Sequence, residues 1–207
     1  MTSSLRKYNI DLIKRRVNMK KGLLIILSGP SGVGKGTVRE KLFENATLNL
    51  AYSISMTTRS PRPGEKNGRE YFFVTKEEFE KKIEEGGLLE HAQFVGNYYG
   101  TPKAYVDQLL SEGKNVLLEI EVQGALQVMD KAPDALTIFL VPPTMEELEK
   151  RIRGRRTEEE NIVQERLNKA AKEIATKDNY KHVVVNNTVE QAASEIAEII
   201  KENIAQH

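Results

Sequence analysis

Residues 29–37 read Gly-Pro-Ser-Gly-Val-Gly-Lys-Gly-Thr, and the spacing G-x-x-x-x-G-K is that of a loop that holds phosphate groups. Glycines let several backbone N–H groups turn toward one centre, and a helix beginning there adds the positive end of its dipole. Lys35 supplies a mobile full charge for the outer phosphates. Ser31, Gly32, Val33, Gly34, Gly36 and Thr37 complete a cradle for a nucleoside triphosphate. A hydroxyl normally follows the lysine directly and holds Mg²⁺; here Gly36 stands there, with Thr37 one step later. A glycine-rich turn with a chance lysine is the plain alternative, and the order apolar strand, loop, helix weighs against it.

Three further groups of residues could do chemistry. Arg59 and Arg62 lie in a loop stiffened by Pro61 and Pro63, and the planar guanidinium fork suits phosphate because it bonds two oxygens at once. Tyr71 and Tyr99 could add hydroxyl donors to the same group. Glu119 and Glu121 close a buried strand; carboxylates there could hold Mg²⁺ through water or accept hydrogen bonds from an acceptor nucleotide. Arg151, Arg153, Arg155, Arg156 and Arg166 place five arginines within sixteen residues. Positive charge on a mobile segment can reach a phosphoryl group only when a site closes. Each group also has an ordinary reading: a surface loop, a solvated strand end, a helix laced with ion pairs.

The elements that must position these residues follow from periodicity and breakers. Leu23 to Leu27 read as a buried strand, followed by a helix from about Gly34 to Asn45. Residues 52–56 alternate as a half-buried strand would. Residues 57–69 are polar and proline-punctuated, hence a loop. A strand at 71–74, a helix at 76–85 capped by Thr75 and Glu78, and strands at 88–94 and 98–101 joined through Gly96-Asn97 make 53–104 a β-rich insertion. A helix at 103–112, a strand at 115–121, a helix at 124–131 and a strand at 135–141 follow. Residues 143–175 are charged and helical with a break at Gly154, a strand covers 181–186, and the closing helix shows an apolar stripe of Ala192, Ile196, Ile199 and Ile200. Five core strands alternating with helices imply an α/β fold, a parallel sheet covered on both faces.

Composition sets the outer bounds. The 207 residues are 39% hydrophobic and 29% charged, with net charge +1, which suits a soluble protein without a strong pull toward nucleic acid or membrane. No cysteine is present, so disulfides, thiol nucleophiles and cysteine zinc sites are excluded. His91, His182 and His207 lack ligand-like spacing. No apolar run approaches the ~20 residues that span a bilayer. Residues 1–21 carry seven Lys or Arg against one Asp but no signal-peptide core, so a cytoplasmic location follows by default. This stretch reads as a solvated tail or a basic contact arm, and Met19 is a possible start.

Taken together, these residues resemble the guanylate kinase family over about 20–207. The specific matches are 29–37, Ser-Met-Thr-Thr-Arg-Ser-Pro-Arg-Pro-Gly-Glu at 55–65, Asn-Gly-Arg-Glu-Tyr at 67–71, Gly-Asn-Tyr-Tyr-Gly-Thr-Pro at 96–102 and Glu-Ile-Glu-Val-Gln-Gly-Ala at 119–125. The resemblance implies a P-loop kinase fold that moves the γ-phosphate of ATP to GMP, and to dGMP, with Mg²⁺, as a monomer or homodimer. It implies an extension at 1–19, a core at 20–52, 105–142 and 173–207, a GMP-binding domain at 53–104 and a lid at 143–172. By position, Arg59, Arg62, Tyr71 and Tyr99 would grip the GMP phosphate. Glu90 would read the guanine N1–H and 2-amino donors, Ser55, Gly100 and Thr101 would bond near the base, and Glu121 would touch GMP. Lys35 and the loop amides would take the ATP phosphates, Arg151, Arg155 and Arg166 would reach the transferring group, and Asn186 would approach the adenine. Thr37 and Glu119 would serve the metal, in part through water. Departures are Gly36 for the hydroxyl, Glu121 for a common Asp, Asn187 for an Asp and Arg156 for a Gly. A non-catalytic peptide-binding relative and a kinase for another monophosphate are the rival readings.

Overall fold

The computed structural model describes residues 20–154 and 159–207. Strand β1 (Leu24–Ser28) runs into the glycine-rich turn and helix α1 (Lys35–Phe43). After β2 (Leu50–Tyr52) the chain leaves for a second sheet built from β3 (Met56–Thr57), β4 (Phe72–Phe73), β5 (Leu88–Phe94) and β6 (Asn97–Pro102), with helix α2 (Lys76–Glu84) between β4 and β5. It returns through α3 (Lys103–Ser111), β7 (Asn115–Glu119), α4 (Val122–Lys131) and β8 (Leu136–Val141). Helices α5 (Met145–Arg153) and α6 (Glu160–Ile174), strand β9 (His182–Val185) and helix α7 (Val189–Gln206) complete it.

The core sheet has the order β2-β7-β1-β8-β9, every pair parallel, so the expected five-stranded parallel sheet is present. Its three central strands, β7, β1 and β8, read as continuous apolar runs because both faces are buried. On β1, Ile25 and Leu27 face α1 and α7 through Val38, Leu42, Ile196 and Ile200. Ile26 faces the other way, toward Val106 of α3 and Val122 and Val128 of α4. Helices α5 and α6 share a small core of their own, Leu148 and Ile152 against Val163, Leu167 and Ala170, which meets the main core at Ile174. The Thr75 cap forms a complete capping box with Glu78, and the Thr144 and Thr188 hydroxyls accept from the N–H groups of Glu147 and Gln191.

Three local readings need correction. The alternation at 52–56 spans two sheets: Leu50–Tyr52 pairs with β7, whereas Met56 pairs with Phe72 and Gly100. Alternation reports which face is buried, not which partner covers it. Strand β7 ends at Glu119, and Glu121 occupies the N-cap position of α4. The β5–β6 turn is Val95-Gly96 rather than Gly96-Asn97, since Phe94 pairs with Asn97. A two-residue loop of this kind needs positive φ at both central residues, and Val95 and Gly96 have φ 47° and 73°. A β-branched residue resists that region. Val95 is 79% exposed, so replacing it sacrifices little packing. Val95→Asn is expected to stabilise the fold by about 1 kcal/mol, read as a higher midpoint in thermal unfolding.

Candidate active site

The turn after β1 opens a cavity of about 390 Å³ lined by Ser31, Gly32, Gly34, Lys35, Gly36 and Thr37. Because α1 begins at Lys35, its first N–H groups have no intrahelical partner and are available to an anion. Gly34 has φ 99°, and a Cβ there would stand 2.7 Å from the Asn186 amide nitrogen. Only glycine fits. That amide donates to the Val33 carbonyl at 2.7 Å. Arg151 donates to the same carbonyl at 3.3 Å and to the Asn186 carbonyl at 2.9 Å. The Val33 side chain is fully buried in the core. Val33, Asn186 and Arg151 therefore brace the loop from behind, outside the cavity lining.

The Lys35 ammonium donates to the carbonyls of Gly29 at 2.6 Å and Pro30 at 3.2 Å. Burial pushes its pKa down, and the charges of Glu119, Glu173 and Glu121 oppose that shift. A polyphosphate would offer it charged acceptors in place of two neutral ones. Arg166 reaches in from α6 and donates to the Ser31 hydroxyl at 3.2 Å; Arg155 and Arg156 lie outside the described residues. Thr37 and Glu119 stand on the same wall, and a side chain on Gly36 would begin 3.6 Å from a Glu119 oxygen. The other Glu119 oxygen lies 3.0 Å from the Arg39 guanidinium but is buried without a properly aligned hydrogen bond, a charge contact only. A hydroxyl and a carboxylate beside a phosphate loop are hard oxygen donors of the kind Mg²⁺ takes. Among the described residues no group of three or more His, Cys, Asp or Glu could hold a metal ion.

A second cavity of about 420 Å³ abuts the first, and Glu119, Ile120 and Glu121 line both. Ser55, Tyr71, Glu90, Tyr99 and Gly100 form its far wall. Glu90 is 7% exposed and accepts a 2.6 Å hydrogen bond from the Thr101 hydroxyl, so Thr101 holds Glu90 rather than lining the cavity. Burial raises the Glu90 pKa above the ordinary value, the Thr101 bond and the Lys131 charge opposing. A Cβ on Gly124 would stand 2.8 Å from the Glu90 carboxylate, so the bare α4 backbone makes room for that group. Arg59 and Arg62 are not on the wall. Arg59 makes a two-pronged pair with Glu65 at 3.0 and 2.9 Å and packs over the Tyr71 ring at 5.4 Å, while Arg62 is exposed, its backbone N–H held by Glu65 at 2.7 Å.

A phosphate loop, a buried carboxylate in an adjoining cavity and a strand end shared by both agree with the chain's likeness to known proteins. The sequence model of the family described as guanylate kinase matches residues 21–203. This chain belongs to the guanylate kinase family. It is an enzyme, a nucleotide-binding kinase. It is 55% identical over 182 residues to a guanylate kinase of Lactococcus lactis, covering 88% of each chain. It is 57% identical over 182 residues to one of Oceanobacillus iheyensis, again covering 88% of each. A solved guanylate kinase structure from Anaplasma phagocytophilum superposes with TM-score 0.68 at 35% identity, covering 89% of this chain and 87% of that one.

Within this guanylate kinase fold, several site residues escaped the sequence reading. Arg39, Tyr52, Lys169 and Glu173 each stand on or against a cavity wall. Arg39 follows Lys35 by one helical turn, and Lys169 and Glu173 follow Arg166 by three and seven residues, so helix-face spacing was the available signal. The Gly124 backbone supplies a test. Gly124→Ala favours the helix by roughly 0.5–1 kcal/mol yet pushes its Cβ into the Glu90 carboxylate. Helix gain and crowding then roughly offset, so the variant should melt within about 5 °C of the parent while calorimetric affinity for GMP falls at least about tenfold.

Proposed function

We propose that this chain transfers the terminal phosphoryl group of ATP to GMP, and to dGMP, by direct in-line displacement. The observation that carries the reading is the shared wall: a phosphate-loop cavity and a cavity holding a buried carboxylate meet at Glu119–Glu121. In this reading, residues 20–52, 105–142 and 173–207 form the core, 53–104 the acceptor domain and 143–172 the lid. Lys35 leaves its two carbonyls for the ATP phosphates, and Arg166, with Arg155, neutralises the migrating group. Ser31, Gly32, Gly34, Gly36 and Thr37 hold the phosphate chain through their backbones, braced by Val33, Arg151 and Asn186. Mg²⁺ would be held by Thr37 and Glu119 together with phosphates and water, where it supplies charge neutralisation across the transferring oxygens. No covalent enzyme intermediate is needed when donor and acceptor share one wall.

On the acceptor side, Glu90, held by Thr101, takes the guanine N1–H and 2-amino donors, with Ser55 and Gly100 around the base. Adenine would present the wrong edge and leave a buried carboxylate unpaired, a discrimination on the order of 10²-fold. Tyr71 and Tyr99 stand where they can donate to the GMP phosphate, joined by Arg59 and Arg62 once a phosphate displaces Glu65 from the guanidinium fork. A kinase for another monophosphate would not need Glu90 buried opposite a glycine. We further read the enzyme as cytoplasmic, a monomer or homodimer without nucleic-acid or membrane partners. Among the described residues no helix is long and apolar enough to cross a membrane.

A coupled assay with ATP and each nucleoside monophosphate tests the whole reading; activity with AMP or UMP matching that with GMP would overturn it. Lys35→Ala should lower kcat on the order of 10³-fold with the circular-dichroism spectrum intact. Recognition of guanine needs Glu90 ionised, so kcat/KM for GMP should be full above the Glu90 pKa and fall as pH drops through it. Burial puts that inflection on the high side of the ordinary Glu value of 4.5. Glu90→Gln should remove the inflection and raise KM for GMP, with KM for ATP little changed.

A further inference from the structure

Helix α6 turns one face toward both cavities. Arg166 meets Ser31 on the phosphate loop at 3.2 Å. One turn on, Lys169 lines the acceptor cavity and donates to the Glu121 carboxylate at 2.9 Å. A further turn on, Glu173 lines the phosphate-loop cavity and pairs with Lys169 at 3.6 Å. Lys169 thus links a carboxylate that lines both cavities to one that lines the donor cavity. The second Glu173 oxygen is buried without a hydrogen-bond partner, which makes a neighbouring cation the source of its compensation.

Stability does not account for this arrangement. The side chains of Lys169 and Glu121 are 55% and 70% exposed, and pairs that open to water contribute little to folding. Position does account for it. Lys35 and Lys169 are the cations lining the two cavities among the described residues. Glu119, Glu121 and Glu173 line the region where two phosphate-bearing substrates must meet. A free Glu121 carboxylate on the N-cap of α4 would swing among its rotamers and repel them. Tied to Lys169, it keeps one orientation at the cavity mouth and its charge is balanced.

We propose that Lys169 is a positioning residue for the acceptor nucleotide, holding Glu121 from α6 so that the carboxylate is pre-oriented when the nucleotide enters. This rests on the reading that the cavity of Glu90 and Glu121 takes GMP. The closer contact is the one to Glu121, 2.9 Å against 3.6 Å to Glu173, so the acceptor is affected more than the donor.

Steady-state kinetics of Lys169→Met, Lys169→Arg, Glu121→Gln and the Lys169→Met/Glu121→Gln pair test it. The Met variant should raise KM for GMP about tenfold, keep KM for ATP within about twofold and melt within about 2 °C of the parent. Arg should recover most of the loss, because it can still donate to Glu121. The pair should be no worse than Glu121→Gln alone, since both changes remove one interaction. Unchanged KM for GMP, a rise confined to KM for ATP, or additive losses in the pair would each overturn the proposal. A fall in KM for GMP would overturn it too, since it means the lysine competes with the nucleotide for Glu121. If the parent enzyme turns over GMP and the Met variant matches it, the acceptor reading stands and this proposal fails. If the parent does not phosphorylate GMP, both fail.

Discussion

The parallel ladder between β1 and β7 is the constraint on which the site depends. Its register sets Leu27 opposite Glu119, so both strands end at one edge of the sheet. From that edge β1 releases the phosphate loop and β7 releases Glu119, Ile120 and Glu121. Parallel pairing is what makes this possible: an antiparallel partner would send one group to the opposite edge. The apolar alternation of Ile25, Ile26 and Leu27 anchors the ladder to helices on both faces. The energy of the core is thereby spent on the relative placement of two strand ends.

Around that edge the fold tolerates groups that are costly elsewhere. Lys35 is desolvated, Glu90 is nearly fully buried, and oxygens of Glu119 and Glu173 lack aligned hydrogen bonds. Each is acceptable because an opposite charge or a positioned donor stands close by. Arg39 serves Glu119, Thr101 serves Glu90 and Lys169 serves Glu173. Such partly satisfied charge is how an enzyme keeps side chains ready for a substrate that completes the bonding. The Glu65 carboxylate has a similar relation to Arg59, occupying both prongs of its guanidinium fork.

Much of this was legible from residue order. The phosphate loop announced itself because its chemistry is local: backbone N–H groups from consecutive residues, then a lysine. The three central strands were legible because burial on both faces makes them apolar throughout. What could not be read was partnership over distance. Alternation through 52–56 hid a change of sheet at Ser53–Ser55, and nothing around Glu65 marks it as the partner of Arg59. Asn186 and Arg151 read by resemblance as nucleotide contacts, and their shared bond to the Val33 carbonyl had no signal in the sequence. Lys169 and Glu173 were overlooked because their meaning lies in which cavities α6 crosses. Helix phase from Arg166 was the one clue.

The wall shared by the two cavities has a consequence for ligands. Two nucleotide sites separated by solid protein would each have to be filled independently. Here Glu119, Ile120 and Glu121 line both cavities, so the two positions adjoin and a single ligand with two closely tethered halves could occupy both. Its second half would bind at an effective concentration in the millimolar range or above, set by a short tether. Its association constant would then be the product of the two separate constants multiplied by that effective concentration, without any new contact to the protein.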